Sequence, residues 1–348
     1  MSVQIRPFDL YTATEAEWAA LNALKNRIDA ELDPDEPPES VEDHARRLRS
    51  LPPSKNLLVW VAWDLDGGSA LGMATLSALT GDAKRHLAPV SISVLPEARR
   101  MGIATRLLRP VAEAARTAGL RLLMAQTASQ APAGEPFIRG IGGVVGLTNS
   151  FSRLDLAGLD RELMRSWRER AVERAGGFEI GLWEGPYPKE DLDAVLAMIL
   201  VMNTAPRGEL DIGDFEPTAE LMQEWDSSMA EIGVERWTMH VRHMESGKFA
   251  GYTEVFWNPA RPETVNQGDT GVFPQYRNRG LGRWLKAAMA EKVLRDRPQV
   301  RRIRTENATS NAPMLGINRE MGFVHYRTSI DWQVEVDRVF EYLESRSL

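Results

Sequence analysis

The chain has no cysteine among its 348 residues. This absence excludes disulfides, thiolate nucleophiles and thiolate metal ligands. Positive charge is not in excess either: the net charge of −7 disfavours a nucleic-acid-binding surface. No apolar run approaches the length of a membrane span, and the N-terminus lacks a basic-then-apolar signal pattern. We therefore expect a cytoplasmic protein with no metal site, no nucleic-acid partner and no membrane partner.

A glycine-containing turn near the C-terminus carries the clearest functional signal. A β-rich segment at 267–273 leads into Arg-x-x-Gly-x-Gly at 277–282, and a helical pattern follows. Glycines let the backbone approach a ligand closely, and the first N–H groups of a helix point at an anion. Arg277, Arg279 and Arg283 add charge-assisted hydrogen bonds. The pattern predicts a pyrophosphate-binding loop.

The same arrangement occurs earlier in the chain. Gly102 stands 178 residues before Gly280, in a strand, Arg-x-x-Gly-x-Ala and helix pattern. Nearly the same offset aligns the turn at 69–72 with 247–251. It also aligns an acidic loop at 26–40 with one at 203–218. These recurrences indicate a duplicated, domain-sized unit, for which the length is sufficient.

The duplication predicts two domains joined by a helical linker. We place the N-terminal domain at residues 1–157, the linker at 158–176 and the C-terminal domain at 177–348. The linker segment is charged and helix-forming, and it ends at Gly176 and Gly177, a helix-stop signal.

The C-terminal turn and its sequel resemble the GNAT superfamily of acetyl-CoA-dependent N-acyltransferases. The superfamily's phosphate loop reads Arg/Gln-x-x-Gly-x-Gly/Ala, and an Asn-containing helix ending in Gly-Phe follows the next strand. Here the β-rich run 300–305 is followed by Asn307, Asn311 and Gly322-Phe323. The resemblance extends over 235–333. It implies an α+β fold of two tandem domains, each a splayed mixed, mostly antiparallel sheet flanked by helices, in an organisation similar to mycothiol synthases.

The resemblance also implies acetyl-CoA as cosubstrate, with its pantetheine arm along the splaying strand and its pyrophosphate on the loop. In the second repeat the implied cofactor residues are Val272, Phe273, Arg277, Asn278, Arg279, Gly280, Leu281, Gly282, Arg283, Asn307 and Asn311. In the first repeat they are Val94, Arg99, Arg100, Gly102, Ile103 and Ala104.

Acyl transfer to an amine needs a base, because amines are protonated at neutral pH. Glu254, on a predicted hairpin strand beside the splaying strand, is the first candidate. Asp269, on the splaying strand itself, is the second. The alternative for each is a carboxylate on the rim or strand surface without a catalytic role.

The acid that protonates the departing thiolate stays open. Many family members have a tyrosine four residues before the glycine of Gly-Phe, but here Asn318 holds that position, and Ile138 holds it in the first repeat. An amide can hydrogen-bond a thiolate without protonating it. Tyr326 and His325 are substitutes further along the chain, and protonation by solvent is another possibility.

The two repeats are unequal. Pro110 interrupts the backbone donors of the first repeat's helix, and no glutamate there matches Glu254. We expect a degenerate or structural first domain and a catalytic second one. Acidic side chains overhanging the expected acceptor site indicate either a cationic amine or merely a solvated loop. In the second repeat they are Glu209, Asp211, Asp214 and Glu216.

The sequence thus predicts an N-acetyltransferase acting on a primary amine of a small molecule, as a monomer or homodimer. Three alternatives remain: a catalytically silent acyl-CoA-binding scaffold, an enzyme with another acyl donor, and an enzyme that acylates a protein amine.

Overall fold

A computed structural model describes residues 2–79 and 86–346. The remaining residues, which the predicted domains include, lie outside this description. The strands are β1 (Val3–Pro7), β2 (Lys55–Asp64), β3 (Ala70–Leu79), β4 (Leu87–Val94), β5 (Leu122–Ala128), β6 (Val144–Asp155), β7 (Phe178–Glu184), β8 (Glu235–His243), β9 (Phe249–Trp257), β10 (Thr264–Val272), β11 (Arg302–Ala308) and β12 (Val324–Glu335). The α-helices are α1 (Glu15–Leu32), α2 (Val41–Arg49), α3 (Ile103–Thr117), α4 (Gly134–Gly140), α5 (Arg161–Arg174), α6 (Leu192–Ile199), α7 (Ala219–Glu231), α8 (Leu281–Asp296), α9 (Ala312–Met321) and α10 (Val336–Ser345).

The first compact unit comprises Met1–Thr148, Gly208–Ile212 and Ser329–Leu348. Its strands β1 to β4 pair antiparallel in sequence order, and β5 pairs antiparallel with the end of β12. Between them, β4 and β5 pair in parallel only at the start of each strand. Helix α3 packs its apolar side against this sheet and continues through Pro110. The unit is therefore a splayed sheet with its core under α3.

The second compact unit comprises Asn149–Arg207 and Gly213–Thr328. Strands β7 to β10 pair antiparallel, and β11 pairs antiparallel with β6. The parallel pairing of β10 with β11 covers only Thr264–Asn266. Beyond Asn266 the two strands part, and we call the opening the β10–β11 gap. The predicted α+β class and splayed mixed sheets are confirmed.

Two separate cores cover the sheet of the second unit. One contains Leu285 and Met289 of α8 together with Met164 and Trp167 of α5. We call this side of the sheet the α8 face. The other core joins α6 and α7 to Tyr252 of β9, and we call it the α6 face. The predicted linker helix is thus observed as α5, and it contributes to the core of the second unit.

Each unit completes its sheet with the last strand of the other sequence repeat. Strand β12, from the second repeat, pairs with β5 over Ser329–Glu335. Strand β6, from the first repeat, pairs with β11 over Asn149–Asp155. The boundaries predicted at residues 157 and 177 describe the repeats in sequence and stay a prediction, while the compact units take one strand from each other's repeat.

We expect Trp332→Ala to destabilise the first unit selectively, although Trp332 lies near the end of the chain. Its side chain is fully buried in the first core, and its Nε1 donates to Thr127 Oγ1 at 2.8 Å. Removing a buried tryptophan costs about 3 kcal/mol or more. Hydrogen exchange should show faster amide exchange in residues 2–148 and little change in 213–328. Faster exchange in 213–328 with little change in 2–148 would contradict the assignment of the end of β12 to the first unit.

Candidate active site

The two glycine-containing turns have the same backbone conformation. Helices α8 and α3 each begin after a left-handed glycine, Gly280 with φ of 83° and Gly102 with φ of 77°. Two residues earlier, Asn278 and Arg100 also have positive φ, 63° and 64°. Asparagine tolerates this region better than arginine does. Both repeats therefore build the predicted loop, with less backbone strain in the second.

The turn of the second unit has the properties of an anion site. No side chain caps the start of α8, so its first N–H groups remain available to an anion, with the helix dipole behind them. A Cβ added at Gly282 would contact only Ile317, at an ordinary 3.6 Å. Packing within the protein does not require glycine there, and the open space suits the close approach of a pyrophosphate.

The arginine that opens each loop differs in its partners. Arg277 donates through Nε to Val272 O at 2.8 Å and through a terminal nitrogen to Thr204 Oγ1 at 2.7 Å, both of them neutral acceptors. Arg99 makes the corresponding bond to Val94 O at 3.1 Å, but its terminal nitrogens form a two-pronged ion pair with Glu31. The positive charge is thus neutralised in the first unit only.

We expect Thr204→Glu to weaken acetyl-CoA binding to the second unit about tenfold, because the new carboxylate would pair with Arg277. Hydrogen bonds to charged groups contribute about 1.5–3 kcal/mol. The matched change, Glu31→Gln, frees Arg99 and should strengthen any binding to the first unit. Calorimetric titration measures both. An unchanged affinity in Thr204→Glu would show that Arg277 does not act on the ligand.

The other predicted cofactor side chains of this loop have protein partners. Arg283 forms a two-pronged pair with Glu320, at 2.6 and 3.1 Å. Asn311 caps α9 by accepting from Met314 N at 3.3 Å. Arg279 lies 5.8 Å from the Phe178 ring. The contacts of Arg283 and Asn311 occupy their polar groups, so backbone N–H groups together with Arg277 and Arg279 are the donors that can turn toward a phosphate.

The remaining predicted cofactor residues divide between core and rim. Leu281 and Ile103, the first helical residues after each turn, are buried at 2% exposure each, so their backbone N–H groups are what they offer a ligand. Val272 and Phe273 are partly buried where β10 ends, and Ala104 is partly buried on α3. Burial of these side chains fixes the backbone of the loop.

Glu254 lies on β9 opposite an irregularity in β10. The β9–β10 register shifts between Gln267 and Thr270, so Gly268 and Asp269 together face Glu254. A Cβ at Gly268 would lie 2.7 Å from the Phe256 ring and 3.1 Å from Glu254 Oε1. Only glycine leaves room for the carboxylate in this bulge. The bulge therefore fixes the position of Glu254 on β9, one strand away from the β10–β11 gap.

The two predicted base candidates are brought together, on the α6 face. Burial raises the pKa of Glu254 to about 7, helped by the charge of Asp269 and opposed by Arg236. Glu254 also accepts from the backbone N–H of Asp269. Burial raises the pKa of Asp269, against a hydrogen bond that Tyr252 Oη donates at 3.1 Å. A carboxyl with a pKa near 7 is suited to exchange protons at neutral pH.

Sequence reasoning missed a buried polar group beside Glu254. Arg236, 3% exposed, pairs with Asp226 at 2.9 Å and lies 3.8 Å from the Tyr187 ring. Tyr187 Oη lies 3.5 Å from Glu254 Oε2, and burial raises the pKa of Asp226. These residues come from three separated segments, so no local motif joins them. The sequence offered one indication of its burial: Arg236 stands on a predicted strand that also contains apolar residues.

The candidates for the acid lie on different faces of β11 and its neighbours. Asn318, 2% exposed, donates through Nδ2 to Asn307 Oδ1 at 2.7 Å on the α8 face. Tyr326 packs against Phe151, with ring centres 6.4 Å apart, and Phe151 pairs with the residue before Asn307. Because neighbouring strand residues face opposite sides, Tyr326 lies on the opposite face from Asn318.

The first unit lacks the polar residues of the second. Gly72 pairs with Val94 as Gly251 pairs with Val272. Three residues beyond Gly72 stands Thr75, at the position where the second unit has Glu254.

Two of the acidic side chains in the second repeat's loop form ion pairs within the protein. Asp211 pairs with Arg121 and His86, and Asp214 pairs with Arg207.

In residues 2–79 and 86–346, no helix is long and apolar enough to span a membrane. Over the same residues, no three histidine or acidic side chains come together as a metal ion would require.

Comparison with known proteins identifies the class. A family model described as "Acetyltransferase (GNAT) family" matches residues 18–142 and 209–323. A tandem GNAT protein from the clavulanic acid biosynthesis pathway aligns with a TM-score of 0.76 and 25% identity, covering 96% of this chain and 99% of that one. A GCN5-related N-acetyltransferase from Sphaerobacter thermophilus aligns with a TM-score of 0.66 and 17% identity, covering 96% of each. The comparison with curated proteins found no match.

These matches define the protein as an acyltransferase enzyme. The chain belongs to the GNAT family of acetyltransferases, and it does so through both of its repeats. The predicted tandem GNAT fold is confirmed.

Proposed function

We propose that this enzyme transfers an acetyl group from acetyl-CoA to a primary amine of a small molecule, in its second unit. The observation that carries the proposal is the position of Glu254, a carboxyl with a pKa near 7 on β9, which neighbours the strand β10 that borders the β10–β11 gap. The start of α8, which no side chain caps, follows β10 and, with Arg277 next to it, forms the proposed anion site. Membership of the family supports acyl transfer in general.

The chemistry follows from where these groups lie. An ammonium entering on the α6 face loses its proton to the Glu254 carboxylate, directly or through water. The amine nitrogen then adds to the thioester carbonyl carbon, the C–S bond breaks as the tetrahedral adduct collapses, and the electron pair stays on the CoA sulfur. The nitrogen releases its second proton to solvent as the amide forms. Holding both reactants in the gap lowers the activation barrier, because the amine and the thioester no longer have to meet by diffusion in the right orientation. The products are an amide and CoA.

The acceptor is proposed to be a small cationic amine. Glu254, Asp269 and Asp226 place three carboxyl groups on the α6 face, with Arg236 as the buried cation among them. Such a site favours a cationic group over an anionic one. Of the loop carboxylates, Asp211 and Asp214 already have cationic partners, so the proposed attraction depends on the strand residues.

The test compares two matched variants of the intact chain, Gly280→Glu and Gly102→Glu. Each puts bulk and negative charge into one loop. We expect Gly280→Glu to lower amine-dependent thiol release at least tenfold and to remove one acetyl-CoA site in calorimetry. Gly102→Glu should leave the release within about twofold. Since the chain has no cysteine, thiol reagents report only CoA. Loss of activity in Gly102→Glu alone would assign catalysis to the first unit.

A further inference from the structure

A buried lysine of the second unit has no carboxylate as its hydrogen-bonding partner. Lys286, on α8, is 2% exposed. Its Nζ donates to Asn318 Oδ1 at 2.7 Å and lies 5.0 Å from the centre of the Phe323 ring. Both partners are uncharged. Burying an ammonium without an anion is costly, so the position calls for an anion that the protein itself does not supply.

The lysine begins a chain of hydrogen bonds that ends at the β10–β11 gap. Lys286 Nζ donates to Asn318 Oδ1, and this bond fixes which end of the Asn318 amide faces Asn307. Asn318 Nδ2 then donates to Asn307 Oδ1 at 2.7 Å. Asn307 stands on β11 beyond the last residue that pairs with β10. This series of hydrogen bonds therefore runs from the positively charged Lys286 on the α8 face, through the two amides, to the β10–β11 gap.

The first repeat shows that the fold does not need these polar groups. At the offset that aligns Gly102 with Gly280, Leu108 replaces Lys286. Ile138, four residues before Gly142, replaces Asn318, which stands four residues before Gly322. Leu108 and Ile138 are both buried in the first core, at 1% and 6% exposure. One helix pair thus exists in an apolar and a polar version within the same chain, and the polar version accompanies the Glu254 site.

We propose that Lys286 is a positioning residue for the leaving group, holding Asn318 and Asn307 so that their amide N–H groups stabilise the CoA thiolate. This inference rests on the proposed function. When the C–S bond breaks, the electron pair on sulfur is met by amide donors with an ammonium behind them. The proposal requires no proton transfer through Lys286, Asn318 and Asn307. The amides only donate hydrogen bonds, and solvent protonates the thiolate afterwards. Base and leaving-group stabiliser then lie on opposite faces of the sheet.

Two variants separate this role from a structural one. Lys286→Leu combined with Asn318→Ile copies the first repeat and should fold. Asn318→Asp keeps a buried polar pair, now a salt bridge with Lys286, but removes the amide donor. Both should lower kcat about tenfold and leave the KM for acetyl-CoA within about twofold. A merely structural pair would be preserved in Asn318→Asp.

The deciding measurement does not depend on turnover. CoA is bound to each full-length protein, and the thiolate fraction is read from its ultraviolet absorbance at about pH 6.5, below the unperturbed thiol pKa of about 8.5, where Lys286 still keeps most of its charge. Because the protein has no cysteine, none of the thiolate signal comes from the protein, and a spectrum of the protein alone at the same pH corrects for its peptide and aromatic absorbance. We expect a thiolate-to-thiol ratio about tenfold higher on the wild type than in free CoA, and a return to the free ratio in both variants.

The outcomes distinguish the two proposals. An unshifted ratio on the wild type, or an unchanged ratio in the variants, overturns the role of Lys286 and leaves the acyl transfer standing. A shifted ratio with no acetylation of any amine supports the role of Lys286 and overturns the proposed reaction. Failure of CoA to bind overturns both.

Discussion

Glu254→Gln is expected to lower kcat for amine acetylation by about 10²–10⁴-fold, the usual contribution of a general base. Glutamine has nearly the same shape and can still accept from the Asp269 N–H, so the geometry of the bulge should survive. What it cannot do is take a proton from the ammonium. Acetyl-CoA binding, measured by calorimetry, should stay within about threefold. Activity that falls by less than threefold would remove Glu254 as the base.

The pH dependence of kcat/KM also tests the role of Glu254. Glu254 acts as a base only when deprotonated, and its pKa is raised to about 7. Wild-type kcat/KM should therefore rise with pH through about 7, and Glu254→Gln should lack this limb.

Asp269→Asn is the informative companion. The charge of Asp269 is one of the causes that raise the pKa of Glu254, so its removal should move the limb to lower pH. Because the same amine is used throughout, its own titration cancels in the comparison. A limb that stays in place would mean that it belongs to another group.

The conformation of the glycine-containing turn was predictable because its signal is local. Arg-x-x-Gly-x-Gly between a strand and a helix fixes the positive φ at Gly280 and the uncapped N-terminus within a few residues. Glu254 was also predicted to lie on the hairpin strand next to the one that splays, and it stands on β9 beside β10; its role as the base stays a prediction. The raised pKa of its carboxyl could not be predicted, because it depends on burial and on Asp269 across a bulge whose register only the folded sheet defines.

The exchange of final strands was not predicted, for a physical reason. Strands β6 and β12 are alike in length and each follows a helix that ends in the same way, so either would suit either sheet. Pairing of β12 with β5 joins Trp332 to Ala125, a contact between residues far apart in sequence that no local pattern encodes. The boundaries read from the duplication therefore describe repeats rather than compact units.

Lys286 escaped notice for a simpler reason: lysine in a helix is usually solvated. Here α8 is covered by α5 on one side and packs on the sheet on the other, so its two lysines, Lys286 and Lys292, are buried. In the sequence, the only sign of this burial is that Lys286 stands between the apolar residues Leu285 and Ala287. Many solvent-exposed lysines have such neighbours, so the sign is not specific.

The last prediction concerns the cost of that lysine. Burial lowers the pKa of Lys286 from 10.5 to about 7, so the unfolded chain binds more protons than the folded one between these values. The free energy of unfolding therefore rises with pH through this window, and the burial penalty is largest below pH 7. Each pKa unit corresponds to about 1.4 kcal/mol.

Lys286→Leu combined with Asn318→Ile should thus be more stable than the wild type near neutral pH. Its advantage should shrink by about 3 kcal/mol between about pH 7 and 9.5, as the wild-type lysine loses its proton. Denaturant unfolding at a series of pH values measures this difference, and groups common to both proteins cancel. A constant difference would show that Lys286 keeps an ordinary pKa. A stabilised variant with a weaker leaving-group effect would mean that this chain sacrifices stability at a position where the first repeat has an apolar residue and the second a charged one.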